Sequence, residues 1–81
     1  MIKTIHIYYF SILKEESKST EETIETSANT PSALYEELDE KYQFSLSKNS
    51  IKVAINDEFK DWSTPLKSED VVVFIPPVSG G

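Results

Sequence analysis

Val71-Val72-Val73-Phe74-Ile75, followed at once by Pro76-Pro77, is the stretch that decides the architecture. An unbroken apolar run of strand length, four of its five residues β-branched, belongs in the middle of a sheet. The two prolines lack backbone donors and have fixed φ, so ladder pairing ends at Ile75 and the chain leaves the sheet stiffly.

Outward from this run, residues 4–10 read as a second central strand, rich in β-branched and aromatic side chains. Ile5, Ile7 and Tyr9 would line one face, and His6, Tyr8 and Phe10 the other. Residues 11–19 turn polar after Ile12-Leu13 and predict a short helical turn or loop. Residues 20–27 are a weaker strand, polar enough to lie at an edge. Asn29-Thr30-Pro31 then offers a cap residue with proline at the first helical position, where its missing N–H costs nothing. Leu34, Leu38 and Tyr42 follow at helical spacing, with Glu36, Glu37, Asp39 and Glu40 mostly opposite. The helix ends near Tyr42, and Phe44 and Leu46 pin the connection after it. Ile51, Val53 and Ile55 alternate with Lys52 and Ala54 as a further strand, and Asn56-Asp57 turns into a short strand around Phe59. Trp62 and Leu66 punctuate an irregular stretch as core plugs. There is no internal repeat and no linker.

Strand, strand, helix, strand, short strand, strand is an α+β order, with a mixed sheet and one main helix packed on one face. The right-handed crossover rule sets the last strand parallel to the first, in the middle of the sheet. That arrangement is the β-grasp of ubiquitin-like proteins. The expected division is a β-grasp domain over residues 1–75 and a C-terminal tail over 76–81.

One helix covers only one face. With Ile5, Ile7, Tyr9, Val72 and Phe74 against it, Tyr8, Phe10, Val73 and Ile75 point away. Together with Phe59 they would form an apolar patch of a size monomers seldom expose. Either Trp62 and residues 57–67 fold over that patch, or it is a protein-binding face.

The bulk composition narrows the function. A chain of 81 residues holds one core. Fourteen acidic against eight basic residues, a net charge of −6, argues against nucleic acid, whose binding needs Lys and Arg on phosphates. No stretch approaches the roughly 20 apolar residues of a membrane span, and Met1-Ile2-Lys3-Thr4 does not open a signal peptide, so a cytoplasmic location is expected. With no cysteine there is no disulfide, thiolate metal site or persulfide chemistry on this chain, and His6 is the sole imidazole. No metal site and no bound cofactor are expected, and a self-sufficient enzyme is disfavoured. Asp57, Glu58 and Asp61 form the densest carboxylate group outside the helix, yet nothing supplies a partner base and they read as a solvated loop.

The only two glycines, Gly80 and Gly81, are the last two residues, whereas average usage of ~7% would scatter about six through the turns. Residues 76–81 can reach roughly 20 Å from the sheet, and two residues without Cβ make a thread for a narrow channel. The group so delivered is the α-carboxylate of Gly81. Its oxygen can attack the α-phosphate of ATP to give an acyl-adenylate, from which a sulfur nucleophile displaces AMP and leaves a thiocarboxylate. A frayed end is the plainer reading of Gly-Gly alone. A proline-launched Pro76-Pro77-Val78-Ser79-Gly80-Gly81 directly after a central strand favours the functional one.

Residues 74–81, Phe-Ile-Pro-Pro-Val-Ser-Gly-Gly, resemble the terminal signature of the molybdopterin synthase small subunit, a MoaD-like ubiquitin-like sulfur carrier. Tyr8-Tyr9-Phe10 with Leu13-Lys14-Glu15, Thr30-Pro31, Val53-Ala54-Ile55-Asn56, Pro65-Leu66 and Asp70 are similar to that family in order. Ser68-Glu69-Asp70 and Ser17-Lys18-Ser19 depart from it at turns where the family usually has glycine. The resemblance implies that a ubiquitin-activating-type enzyme adenylates Gly81, consuming ATP, and that sulfuration gives the thiocarboxylate. It implies that the tail then enters the large catalytic subunit and donates sulfur to cyclic pyranopterin monophosphate, within a heterotetramer of two small and two large subunits. It also implies that Phe10, Phe59 and Ile75 face the partner. The alternatives are a carrier for thiamine thiazole synthesis or tRNA thiolation, and a ubiquitin-like binding module without chemistry.

Overall fold

The structure, a computed structural model, describes residues 1–77. In chain order the elements are β1 (Lys3–Tyr9), α1 (Ser11–Ser17), β2 (Glu21–Thr26), α2 (Pro31–Tyr42), a 3-10 turn (Lys48–Ser50), β3 (Lys52–Ile55), β4 (Glu58–Lys60) and β5 (Val71–Ile75). The five strands form one sheet in the order β2-β1-β5-β3-β4. β5 runs parallel to β1 and antiparallel to β3, so the two most apolar strands sit side by side in the centre. This is the expected β-grasp arrangement. Residues 11–17, where the sequence predicts a helical turn or loop, form the seven-residue helix α1, whose Leu13 is fully buried.

Local chemistry sets the element ends. Thr30 Oγ1 accepts the Ala33 N–H at 3.1 Å and Pro31 opens α2, as the cap pattern predicts. Gln43, at φ 56°, closes the helix by donating its N–H to the Asp39 carbonyl at 2.7 Å. Asn56 and Asp57 sit at φ 52° and 72°, the left-handed pair that a two-residue hairpin between β3 and β4 requires. Lys18 and Glu69 hold φ of 61° and 74°. They lie in the two turns where the resembled family has glycine, so the structure keeps the turn geometry and accepts the steric cost of a Cβ.

On the helix side of the sheet, Ile5, Ile7, Tyr9, Val53, Val72 and Phe74 are buried beneath Leu34, Tyr35 and Leu38 of α2. Each such side chain contributes roughly 1.5–3 kcal/mol, and together they offset the entropy of ordering the chain. Trp62 belongs to this layer: its ring stacks on Phe74 at 5.9 Å and meets Tyr35 edge-on at 5.8 Å. The irregular stretch around it is tied to the start of α2, since Ser32 N–H donates to the Trp62 carbonyl and Leu66 N–H to the Asn29 carbonyl. Trp62 therefore plugs the helix-side core and does not fold over the opposite face. Tyr9 and Tyr42 both donate their hydroxyls to one oxygen of the half-buried Glu22, at 3.1 and 2.6 Å. No helix among the described residues is long and apolar enough to cross a membrane.

Two outcomes follow from these local features. Lys18→Gly removes a left-handed Cβ at an exposed position and is expected to raise the unfolding free energy by about 0.5–1 kcal/mol in a denaturant titration. Burial, aided for Tyr9 by Glu22, pushes the Tyr9 and Tyr35 phenols well above their ordinary value of 10.0. Their folded pKa values exceed the unfolded ones, so their contribution is complete below pH 10 and is lost as pH rises beyond it. Absorbance at 295 nm should show both ionising only together with alkaline unfolding, and separate early ionisation would contradict their burial.

Candidate functional site

The face of the sheet away from α2 is open. Register places Glu21, Tyr8, Val73, Ala54 and Phe59 in one row across all five strands, with Thr23, His6 and Val71 in the next. Because cross-strand partners share a face, both rows point away from the core. Phe59 is 70% exposed, Phe10 51% and Tyr8 38%. Val73 and Ile75 are half-buried, and small Ala54 lies low between Val73 and Phe59. The apolar face read from the sequence is present, and among the described residues nothing covers it.

The polar groups on this face cluster away from the tail. His6 sits between Thr23 Oγ1 (Nδ1, 3.0 Å) and Glu69 Oε1 (Nε2, 2.9 Å). Across the β1–β2 ladder, Glu21 offers its carboxylate to the Tyr8 hydroxyl and holds that phenol above its usual pKa. Asp61 is held below the usual carboxylate range by hydrogen bonds from Ser63, which is the behaviour of a solvated turn and not of a general acid. Among the described residues no three His, Asp or Glu side chains gather to hold a metal ion.

Of the residues singled out in the sequence, Phe10, Ile75, Pro76 and Pro77 come together in one groove where the chain leaves β5. Phe59 is separate from them, at the β4 edge beside Lys52 and Trp62. It joins the others only through the Ala54–Val73–Tyr8 row. Val78, Ser79, Gly80 and Gly81 lie outside the described residues. Two further residues, Ile12 and Leu46, line the same groove; the sequence reads Leu46 as a pin for the connection after α2 and gives neither residue a place in a binding surface. Ile12 carried a usable signal, because a helix that buries Leu13 must present its neighbour elsewhere.

The open apolar face, with the chain leaving at one end of it, is the geometry against which known proteins can be compared. Residues 7–81 match the ThiS family. The chain belongs to that family. Among solved structures, a Pyrococcus furiosus protein given the name molybdopterin converting factor, subunit 1, superposes with a TM-score of 0.79 at 24% identity, covering 94% of this chain and 99% of that one. The small archaeal modifier protein 1 of Methanosarcina acetivorans gives 0.79 at 21% identity, covering 100% and 99%. These two establish the shared fold. A chain in the protein–protein complex of subunits 1 and 2 of the Helicobacter pylori molybdopterin-converting factor is 32% identical, with a TM-score of 0.65 over 96% of this chain and 99% of that one. This ThiS-family chain is therefore a ubiquitin-fold sulfur carrier of the type that includes molybdopterin-converting-factor subunits.

If the open face is surface and not core, Phe10→Asp and Phe59→Asp should each leave the unfolding free energy within about 0.5 kcal/mol of the parent. Loss of a cooperative transition in either variant would assign that ring to the core.

Proposed function

We infer that the chain is the sulfur-carrier subunit of a molybdopterin synthase. Its working group is the carboxylate of Gly81, and a ubiquitin-activating-type partner adenylates it with ATP, releasing pyrophosphate. A sulfur nucleophile then attacks the acyl carbon, AMP departs, and the thiocarboxylate remains. The carrier docks through its open face on a large catalytic subunit and passes its sulfur to cyclic pyranopterin monophosphate. Two such transfers make one dithiolene, which suits an assembly of two small and two large subunits in the cytoplasm.

The observation that carries this reading is the apolar groove of Phe10, Ile75, Pro76 and Pro77, because an exposed apolar surface at the root of the tail supports docking of a partner there. A partner seated there receives whatever the tail carries. The full-length, 32% identity to a chain from a molybdopterin-converting-factor complex supports that partner in particular. The composition supports the division of labour, since a chain with no cysteine and a single histidine leaves acid–base work to the partner.

Intact-mass spectrometry after incubation with activating enzyme, ATP and a sulfur source tests the chemistry. Exchange of one oxygen for sulfur adds about 16 Da to the carrier, and the increment should be absent when Gly81 is deleted. Rescue of a molybdenum-cofactor mutant, but not of a thiamine auxotroph, tests the substrate. Rescue of the auxotroph alone would reassign the carrier to thiazole synthesis, and an unchanged mass would remove the sulfur chemistry altogether.

A further inference from the structure

Burial does not stop where β5 stops. Val72 and Phe74 are fully buried against the helix side. Two positions further on, past the last ladder residue Ile75, Pro76 is buried too, while Pro77 is exposed. Pro76 thus keeps the alternation of the strand and closes the end of the core. It shares its groove with two side chains that are remote in sequence, Ile12 from α1 and Leu46 from the connection between α2 and β3.

Leu46 packs against the core and is also tethered by a buried group. The Tyr35 hydroxyl donates to the Leu46 carbonyl at 2.7 Å. Tyr35 is only 2% exposed, stacked on Phe44 at 5.3 Å and set edge-on to Phe74 at 5.3 Å and to Trp62 at 5.8 Å. Burial raises its phenol above the ordinary value, so the hydroxyl is protonated and a donor at neutral pH. A tyrosine in the middle of α2 therefore fixes one wall of the seat in which Pro76 lies.

We propose that Tyr35 and Leu46 are positioning residues for the tail: by seating Pro76 they set the direction in which the chain leaves the sheet. Proline's φ is locked, so a seated ring at Pro76 followed by Pro77 restricts the exit to a narrow cone. An unseated ring lets the whole arm swing from its root. The catalytic consequence rests on the sulfur-carrier reading, because only a carrier must bring its last residue to one confined point. The direction itself does not.

The absence of cysteine permits clean labelling. Nitroxides on Glu40→Cys and Val78→Cys, read by double electron–electron resonance, report the spread of the exit direction. In backgrounds carrying Tyr35→Phe or Leu46→Ala the distance distribution should widen about twofold, since the locked φ then no longer has a fixed base, and Leu46→Met should restore it. Circular dichroism establishes that each variant is folded at the measuring temperature. Tyr35→Phe, which loses only a hydroxyl, decides the matter if Leu46→Ala does not fold. Unchanged widths in the folded variants would overturn the proposal. In single-turnover sulfur transfer with saturating large subunit, Tyr35→Phe, whose hydroxyl lies outside the groove, should be slower by about tenfold with unaltered docking affinity, the size expected of a misplaced reacting group. Parent-like rates would remove the positioning role. A parent carrier that passes on no sulfur would sink the carrier reading instead, and the label widths would still judge the seat.

Discussion

β1 and β5 lie side by side and parallel in the middle of the sheet, and the other elements take their places from that pair. β5 is apolar on both faces and β1 adds Tyr8 to the outer one, and a parallel pair needs a crossover connection. α2, on that crossover, covers one face. The hairpin of β3 and β4 extends the sheet on one side and the acidic β2 closes it on the other. No element is left for the second face, so exposed Phe10, Tyr8 and Phe59 follow directly from an architecture with two apolar strands and one long helix. The surface available for recognition and the stability of the core come from the same residues, read on alternate sides.

Much of this is written locally in the sequence. Thr30-Pro31 starts a helix because a hydroxyl and a missing N–H suit its first turn, and Asn56-Asp57 turns a hairpin because both residues tolerate positive φ. The alternation in residues 5–9 and 71–75 tells which side chains are core. Other features depend on contacts that leave no periodic trace. α1 shows only Ile12-Leu13 as apolar signal, too little to separate a seven-residue helix from a loop, and its stability comes from Leu13 entering the core. Trp62 stands in a stretch without period, so only the structure tells that it stacks on Phe74 and leaves the open face bare. The link from Tyr35 to Leu46 ends on a backbone carbonyl, an acceptor every residue possesses, and so nothing in the identity of residue 46 announces it. The tail is legible in a different way, through the withholding of glycine from every other position.

That withholding is visible in the backbone. Ser11, Lys18, Gln43, Asn56, Asp57 and Glu69 all occupy left-handed conformations with side chains attached. The body accepts strain where glycine would relieve it, in some places with compensation. Gln43 returns a hydrogen bond to Asp39, and the carboxylate of Glu69 meets His6. Backbone freedom and side-chain chemistry are thus kept apart in the chain, with glycine at the end and titratable groups on the body.

The parallel alignment of the first and last strands also has a mechanical side. Tension applied at the carboxyl end against the amino end runs along both strands and in opposite senses. It loads the evenly spaced bonds of the β1–β5 ladder in shear, all together, instead of peeling them open in succession. Pro76, lodged at the end of β5, passes the pull into the hydrophobic interior. In such a design a pull on the two ends must break the ladder's bonds as a group before the central strands part.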